Sequence, residues 1–448
     1  MRRLIIAPLA TVLMITPASA AQCLTSPAAE KSITTSVLSL KRVLELTLEN
    51  DQRIEAARFG IDMARHDLSD AKSFYRPKIS GIGRLSVNDR PTLVQQSITG
   101  AEQRLDQDGT SYYGGLEVSQ NIYGFGRYAA LIGKNKAAIE QNRYHLKMTE
   151  QEALLEAIFA YLDYGSALAR HKAFEAYSAD MRDLVKRTKD KFDNQLIGRG
   201  EFMLVRSRLQ QAKASLNTNK ISTTRAFQRL AKLINKQDFD INVQQFPTYE
   251  RFLPKTLNEA IDRSQEYDPR VKAAQELVKI KQLEAKYSKA QSHPQISLSA
   301  SVVRGQGQLE ERSTQEAVVG LNLSMPLYDG GSTRSKTRRA KSATNQANAL
   351  LVDEVASAEE RVTAAWKIYE SLQVSELTWA KAYDAEMKAV EEIKQEVDNQ
   401  LSSLIVLLEA REQLVQTEVN KISSVYEKLK SGYELLTYSG KLTDLLKP

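Results

Sequence analysis

Between Gln295 and Val302 the even positions are Ile296, Leu298, Ala300 and Val302, and the odd ones are Ser297, Ser299 and Ser301. A period of two predicts a β-strand with one apolar and one polar face. The same alternation recurs where Ala317, Val319, Leu321, Leu323, Met325 and Leu327 interleave with Val318, Gly320, Asn322 and Ser324. It appears twice more in the first half, with Ile79, Gly81, Gly83, Leu85 and Val87 against Ser80, Arg84 and Ser86, and with Leu116, Val118 and Ile122 against Glu117, Ser119 and Asn121. Four strands are therefore predicted, at about 77–88, 111–123, 294–304 and 316–328. Each has the roughly ten residues that a tilted transmembrane strand needs. Polar segments, about 88–111 and 304–315, bridge the members of each pair.

Elsewhere the period lengthens. Phe174, Tyr177, Met181, Leu184 and Phe192, and again Tyr383, Met387, Val390, Val397 and Leu401, recur at helical spacing. No proline lies between Pro91 and Pro247 or between Pro326 and Pro448, and residues 332–431 hold neither Gly nor Pro. At about 1.5 Å per residue, a helix over residues 127–196 would be about 100 Å long. Helices of that length must pack lengthwise against one another. Gly198, Arg199 and Gly200, mirrored by Ser402 and Ser403, read as the hairpin turns that send the chain back.

The halves are duplicates. At an offset of 217 residues Asp51 falls on Asp268, Arg53 on Arg270, Ala56 and Ala57 on Ala273 and Ala274, and Pro77 on Pro294. Beyond the strands the offset is 205, placing Tyr123-Gly-Phe-Gly126 on Tyr328-Asp-Gly-Gly331, Asp193-Asn-Gln-Leu196 on Asp398-Asn-Gln-Leu401, and Arg206 on Arg411. A first repeat over 38–236, a linker over 237–255 and a second repeat over 256–442 follow, the second with a connection about 12 residues shorter between its strands.

Composition narrows the setting. Arg2 and Arg3 precede the apolar run 4–15 and the small residues 18–20, the pattern of a cleaved bacterial export signal over residues 1–20. No later apolar stretch is long enough to cross a bilayer as a helix, so any span must be β. The one cysteine, Cys23, excludes an intrachain disulfide. It reads either as an unpaired thiol or as a lipidated residue, and Gln22 just before it is a poor context for lipoprotein processing. Lys and Arg exceed Asp and Glu by only 62 to 55, interspersed along helices, which describes solvated faces rather than a nucleic-acid-binding surface. His66, His145, His171 and His293 have no metal-ligand spacing, and no nucleophile, base or ligand cluster points to an enzyme or to a cofactor.

Four strands do not close a barrel, and an open edge in hydrocarbon costs several kcal/mol for each unsatisfied backbone group. The chain must oligomerise: two copies give eight strands and a filled barrel, three give twelve and a lumen that can be wet. A purely structural coiled-coil envelope protein would share the long helices but has no use for two pairs of amphipathic strands.

The duplicated unit, the proline opening the first strand of each half, and the turn Met325-Pro326-Leu327-Tyr328-Asp329-Gly330-Gly331 leading into Arg334 resemble the TolC family of outer-membrane efflux and secretion channels. Its first-half counterpart, residues 121–127 with Tyr123, Gly124 and Gly126, is a looser version. The resemblance covers about Leu38 to Leu442. It implies a mainly α protein with a transmembrane β part: a homotrimer whose twelve-stranded barrel sits in outer-membrane lipid and continues as an α-helical barrel through the periplasm. The partners it implies are a periplasmic adaptor (membrane fusion) protein, contacted at the hairpin tips, and an inner-membrane transporter, either ABC-type or proton-driven. It also places a periplasmic gate in the stretch 397–411, where Asp398, Glu409 and Arg411 are the candidate residues. Glu409 matches the second of two acids often found there, whereas Val406 occupies the place of the first, and the same charges also read as an ordinary solvated flank. The turn is most similar to the type I secretion branch, which favours a protein cargo, with small-molecule efflux as the alternative. Tyr112, Tyr113 and Tyr123 fit either an interfacial aromatic girdle or plain strand propensity.

Overall fold

The computed structural model describes residues 36–88, 93–96, 102–105, 109–241, 249–306 and 314–443. Residues 1–20, where an export signal is expected, and Cys23 lie outside them. The elements are β1 (Ser36–Leu38), α1 (Leu40–Asn50), α2 (Gln52–Ser73), β2 (Lys78–Asn88), β3 (Leu93–Gln96), β4 (Glu102–Leu105), β5 (Gly109–Tyr123), α3 (Arg127–Asp193), α4 (Arg199–Ile234), β6 (Phe239–Ile241), α5 (Leu257–Tyr267), α6 (Pro269–Ala290), β7 (Gln295–Gln306), β8 (Thr314–Ser324), α7 (Ser332–Asp398) and α8 (Leu404–Tyr438).

Each repeat begins with the same local chemistry. The side chains of Ser39 and Thr256 cap α1 and α5, and those of Asp51 and Asp268 cap α2 and α6 by accepting from the backbone N–H of Arg53 and Arg270, each at 2.8 Å. Pro269 sits in the first turn of α6, where its missing N–H costs nothing.

β2, β5, β7 and β8 form one antiparallel sheet in that order. Lys78 pairs with Ser119 and Gln295 with Ser324, so the offsets of 217 and 205 carry one hairpin register onto the other. Rows of side chains alternate through the sheet. Ile79, Val118, Ala300 and Val319 stand in one row on the apolar face, while Ser80, Glu117, Ser301 and Val318 form a row on the other. The apolar face is bare, with Ile79, Leu85, Val319, Leu321 and Leu323 each more than two-thirds exposed. Regular pairing of β8 stops at Ser324 although the alternation runs on to Leu327, because Pro326 has no N–H to donate to a ladder. In the first repeat the segment between the paired strands carries its own small hairpin, β3 with β4. β2 and β8 are the outer strands, each paired on one side only among the described strands.

Below the sheet α3 and α7 run for 67 residues each, returning as α4 and α8. α3 packs along α2, α4, α6 and α8, and α7 along α5, α6 and α8. The main core lies halfway down. There Leu154, Ile158, Tyr161 and Leu162 of α3 meet Leu230 and Ile234 of α4, Val362 of α7 and Tyr433, Leu435 and Leu436 of α8, closed by the parallel pair β1–β6. Full burial of such side chains stabilises by about 1.5–3 kcal/mol apiece. A smaller cluster of Met181, Leu184, Val205, Leu209 and Leu408 ties the hairpins together near their tips. Among the described residues no helix is long and apolar enough to cross a membrane.

Candidate functional site

Two places carry the residues singled out by sequence: the turns joining sheet to helices, and the far tips of the hairpins. In the first turn Phe125 and Gly126 take φ values of 45° and 87°, and in the second the equivalent Gly330 and Gly331 take 66° and 82°. The backbone is the same in both, but only the second has glycine at both left-handed positions. The anchoring differs too. Asp329 accepts from the N–H of Gly331 at 3.1 Å and of Thr333 at 2.7 Å, and the hydrogen bonds from Thr333 hold its carboxyl below the usual carboxylate range. Gly124 stands in that place in the first repeat, buried against the ring of Tyr128. That turn is held instead by Gln295, which donates to Asn121 at 2.6 Å and to the Tyr128 hydroxyl at 2.9 Å, and by Arg127 over Tyr287. Beside the second turn Leu327 and Tyr328 stand 90% and 89% exposed, and Tyr123 is half exposed, with its ring edge-on to Phe125.

At the tips the chain turns by a device the sequence reading missed. α3 and α7 both end with a glutamine in the left-handed region, Gln195 at φ 59° and Gln400 at φ 61°. Leu196 N–H then bonds to Lys191 C=O at 2.8 Å and Leu401 N–H to Glu396 C=O at 2.7 Å, the six-to-one bond of a Schellman motif. Gly198, expected to make the turn, is extended at φ −76°, caps α4 without a side chain, and is followed by Arg199 and Gly200 in the first turn of the helix. Ser403 caps α8 through its hydroxyl, accepting from Val406 N–H at 3.4 Å, with Ser402 just before it. Stacked rings of Phe192 and Phe202, 5.2 Å apart, close the first tip.

Between the two tips lies a cleft of about 570 Å³ lined by Arg187, Lys191, Glu201, Lys394, Asp398 and Arg411 over an apolar floor of Leu184 and Leu407. Asp398 and Arg411 thus share a cleft, but Arg411 does not pair with Asp398 or with Glu409. It is buried at 7% side-chain exposure and bonds through Nη1 to Asp180 of α3, and burial lowers its pKa from the ordinary arginine value. Its Nε is buried without an acceptor among the described residues. Glu409 is exposed outside the cleft. Arg208 of α4 reaches Glu412 of α8 at 2.7 Å, a second link between hairpins. Asp180 escaped the sequence reading because its partner is 231 residues away and its own counterpart in the second repeat is Ala385.

A bare amphipathic sheet above lengthwise helical hairpins is the architecture of an outer-membrane channel. A family model for the outer membrane efflux protein matches residues 43–236 and 260–441, and the chain belongs to that family. It is 22% identical to outer membrane efflux protein BepC of Brucella suis over 90% of this chain and 86% of that protein. It is 23% identical to alkaline protease secretion protein AprF of Pseudomonas aeruginosa over 89% of this chain and 84% of that protein. In structure it is similar to the Campylobacter jejuni CmeC outer membrane channel at a TM-score of 0.77, with 17% identity over 96% of this chain and 94% of that one. The protein is a channel of the outer membrane, in a family of channels rather than enzymes.

Proposed function

We propose that three copies close a twelve-stranded barrel and that the resulting duct is the passive exit of a tripartite transport system, most similar in role to type I protein secretion. The observation that carries it is the four-stranded sheet with a bare apolar face and two unpaired edges, set on 67-residue helices. Three such sheets leave a lumen wide enough to be wet. The tips are the contact for a periplasmic adaptor through Gly198, Arg199, Gly200, Ser402 and Ser403, and an inner-membrane transporter supplies the energy.

The gate lies in the cleft between the hairpins. Arg411 holds α8 to α3 through Asp180, with Asp398 in the same cleft and Glu409 outside it. A hydrogen bond to a charged group is worth about 1.5–3 kcal/mol. Asp180 is 43% exposed and Arg411 keeps an unmet Nε, so the link belongs at the low end of that range. Docking of an adaptor at both tips can offset a link of this size.

The likeness to AprF, named for alkaline protease secretion, supports a protein cargo, and the likeness to BepC, named for efflux, supports the second reading of small-molecule efflux. Deleting the gene and comparing secreted proteins with drug susceptibility decides between them. Loss of a secreted protein is expected, and unchanged secretion with raised drug sensitivity would overturn the preference.

A further inference from the structure

Where the sheet meets the helices of the second repeat, a pocket of about 660 Å³ opens between the C-terminal end of α6 and the first turns of α7. Lys289 of α6 and Arg334, Arg338 and Lys341 of α7 line it, and all four residues are exposed. The spacing of four and then three residues puts the last three on one face of α7, within about 11 Å along its axis. The ion pairs of α6 and α7 stop at Lys281–Glu284 and Arg361–Glu354, short of this end, and none of the four cations pairs with an acid among the described residues. From Ser332 to Val352 α7 holds five basic residues and no acid. The one carboxylate lining the pocket, Asp329, is already engaged by the N–H groups of Gly331 and Thr333, which also satisfies the start of α7. Four like charges gathered around one pocket repel one another, and an anion from outside the chain relieves that repulsion.

The same pocket is rimmed by Leu327 and Tyr328, the apolar residues that stand 90% and 89% exposed. Leu327 keeps the odd register of Leu321 and Leu323, so the bare apolar face of β8 runs down to the rim. In a channel of the outer membrane that face lies against acyl chains, and the level where it gives way to cations is the level of the headgroups. We infer that this pocket binds the phosphate of an anionic phospholipid. Arg334 and Arg338 are the forked donors, Lys289 and Lys341 act as point charges, and Leu327 and Tyr328 lie beside the acyl chains. Lys341 also lines the next groove together with Lys286, which carries the positive surface one turn further from the sheet.

The first repeat supplies an internal contrast. By the offsets of 217 and 205, Lys289 and Lys341 keep their lysines in Lys72 and Lys136, but Arg334 and Arg338 fall on Ala129 and Gly133. A side chain at Gly133 would press on Leu283 of α6 at 3.3 Å. The two arginines are therefore what distinguishes the second repeat here, and each chain carries one such pair. Lys336 and Arg339, on the same turns of α7, stay outside the pocket.

The test mixes full-length protein in detergent with equal amounts of phosphatidylglycerol and phosphatidylcholine and counts retained lipids by native mass spectrometry. Wild type should hold one phosphatidylglycerol per chain, about tenfold or more in preference to phosphatidylcholine. Arg334→Ser with Arg338→Ser should lower that retention about tenfold or more, since each cation beside an anionic headgroup is worth about fivefold. Lys336→Ser with Arg339→Ser removes the same charge from outside the pocket and should change retention by no more than about twofold. Equal retention of the two lipids by wild type overturns the inference. Equal losses in the two double variants overturn it as well, leaving only a diffuse positive surface. Millimolar inorganic phosphate that displaces the lipid completely would make the pocket a site for the free anion and overturn the lipid assignment.

Discussion

The first and second repeats share a backbone but not its duties. Asp51 and Asp268 cap equivalent helices, yet their carboxyls are pushed in opposite directions. The side-chain hydrogen bonds of Arg53, at 2.7 and 3.1 Å, hold Asp51 below the ordinary carboxylate value, whereas burial raises Asp268 in spite of Arg270 N–H and Arg361. Arg206 and Arg411 are equivalent, yet one lies over the ring of Phe202 and the other is buried against Asp180. Phe227 stacks on Phe239, and its counterpart is Gly432, against which Tyr249 lies so closely that an added Cβ would stand 2.3 Å from the ring. Duplication supplied two copies of each position, and the asymmetric ones differ in what they meet: Phe202 or Asp180 for the arginines, Phe239 or Tyr249 for Phe227 and Gly432.

The largest effect among these asymmetric positions is expected at Gly432. Overpacking a full core costs about 1–3 kcal/mol, so Gly432→Ala should lower the melting temperature by several degrees, and an unchanged melt would refute the close approach of Tyr249. Next is the Arg411–Asp180 link, the proposed gate. Arg411→Ala should raise the resting conductance in planar bilayers and cost about 1.5 kcal/mol, while Arg206→Ala should change stability by no more than about 0.5 kcal/mol. Glu409→Ala is expected to leave the Asp180 link intact, so equal conductance for Arg411→Ala, Glu409→Ala and wild type would return these charges to the solvated reading.

The caps should split by pH. A carboxyl with a depressed folded pKa stabilises above its unfolded value and loses that contribution as pH falls through the folded one; a raised carboxyl contributes most below its unfolded value and loses the contribution as pH rises. Asp51→Asn should therefore cost more at pH 7 than at pH 3, and Asp268→Asn less at pH 7 than at pH 3, each on a capping scale of about 1 kcal/mol. Melts of both variants showing the same sign would contradict the assignment. The smallest effect should be symmetric: Gln195→Gly and Gln400→Gly each relieve a left-handed non-glycine residue by about 1 kcal/mol. A gain in one and a loss in the other would break the equivalence of the tips.

The alternation in β2, β5, β7 and β8 made the sheet legible, because a half-exposed strand must sort its side chains by face, and the offsets carried even its hairpin register. The long helices were legible through the absence of Pro, and over residues 332–431 of Gly as well. The tips were not. Gly198 and Gly200 drew attention as turn formers, but the left-handed residue is Gln195, whose side chain gives no sign of it. Asp180 was invisible for a related reason, since an ion pair between repeats leaves no spacing to read. Of the three charges named for the gate, Asp398 and Arg411 line one cleft and Glu409 does not.

In the proposed trimer one chain supplies a third of a barrel. Light scattering on the detergent-solubilised protein tests it most directly. A protein mass near three times that of one chain, 50.2 kDa for the full sequence, is the result expected. A monodisperse monomer that still conducts ions across a planar bilayer would contradict it.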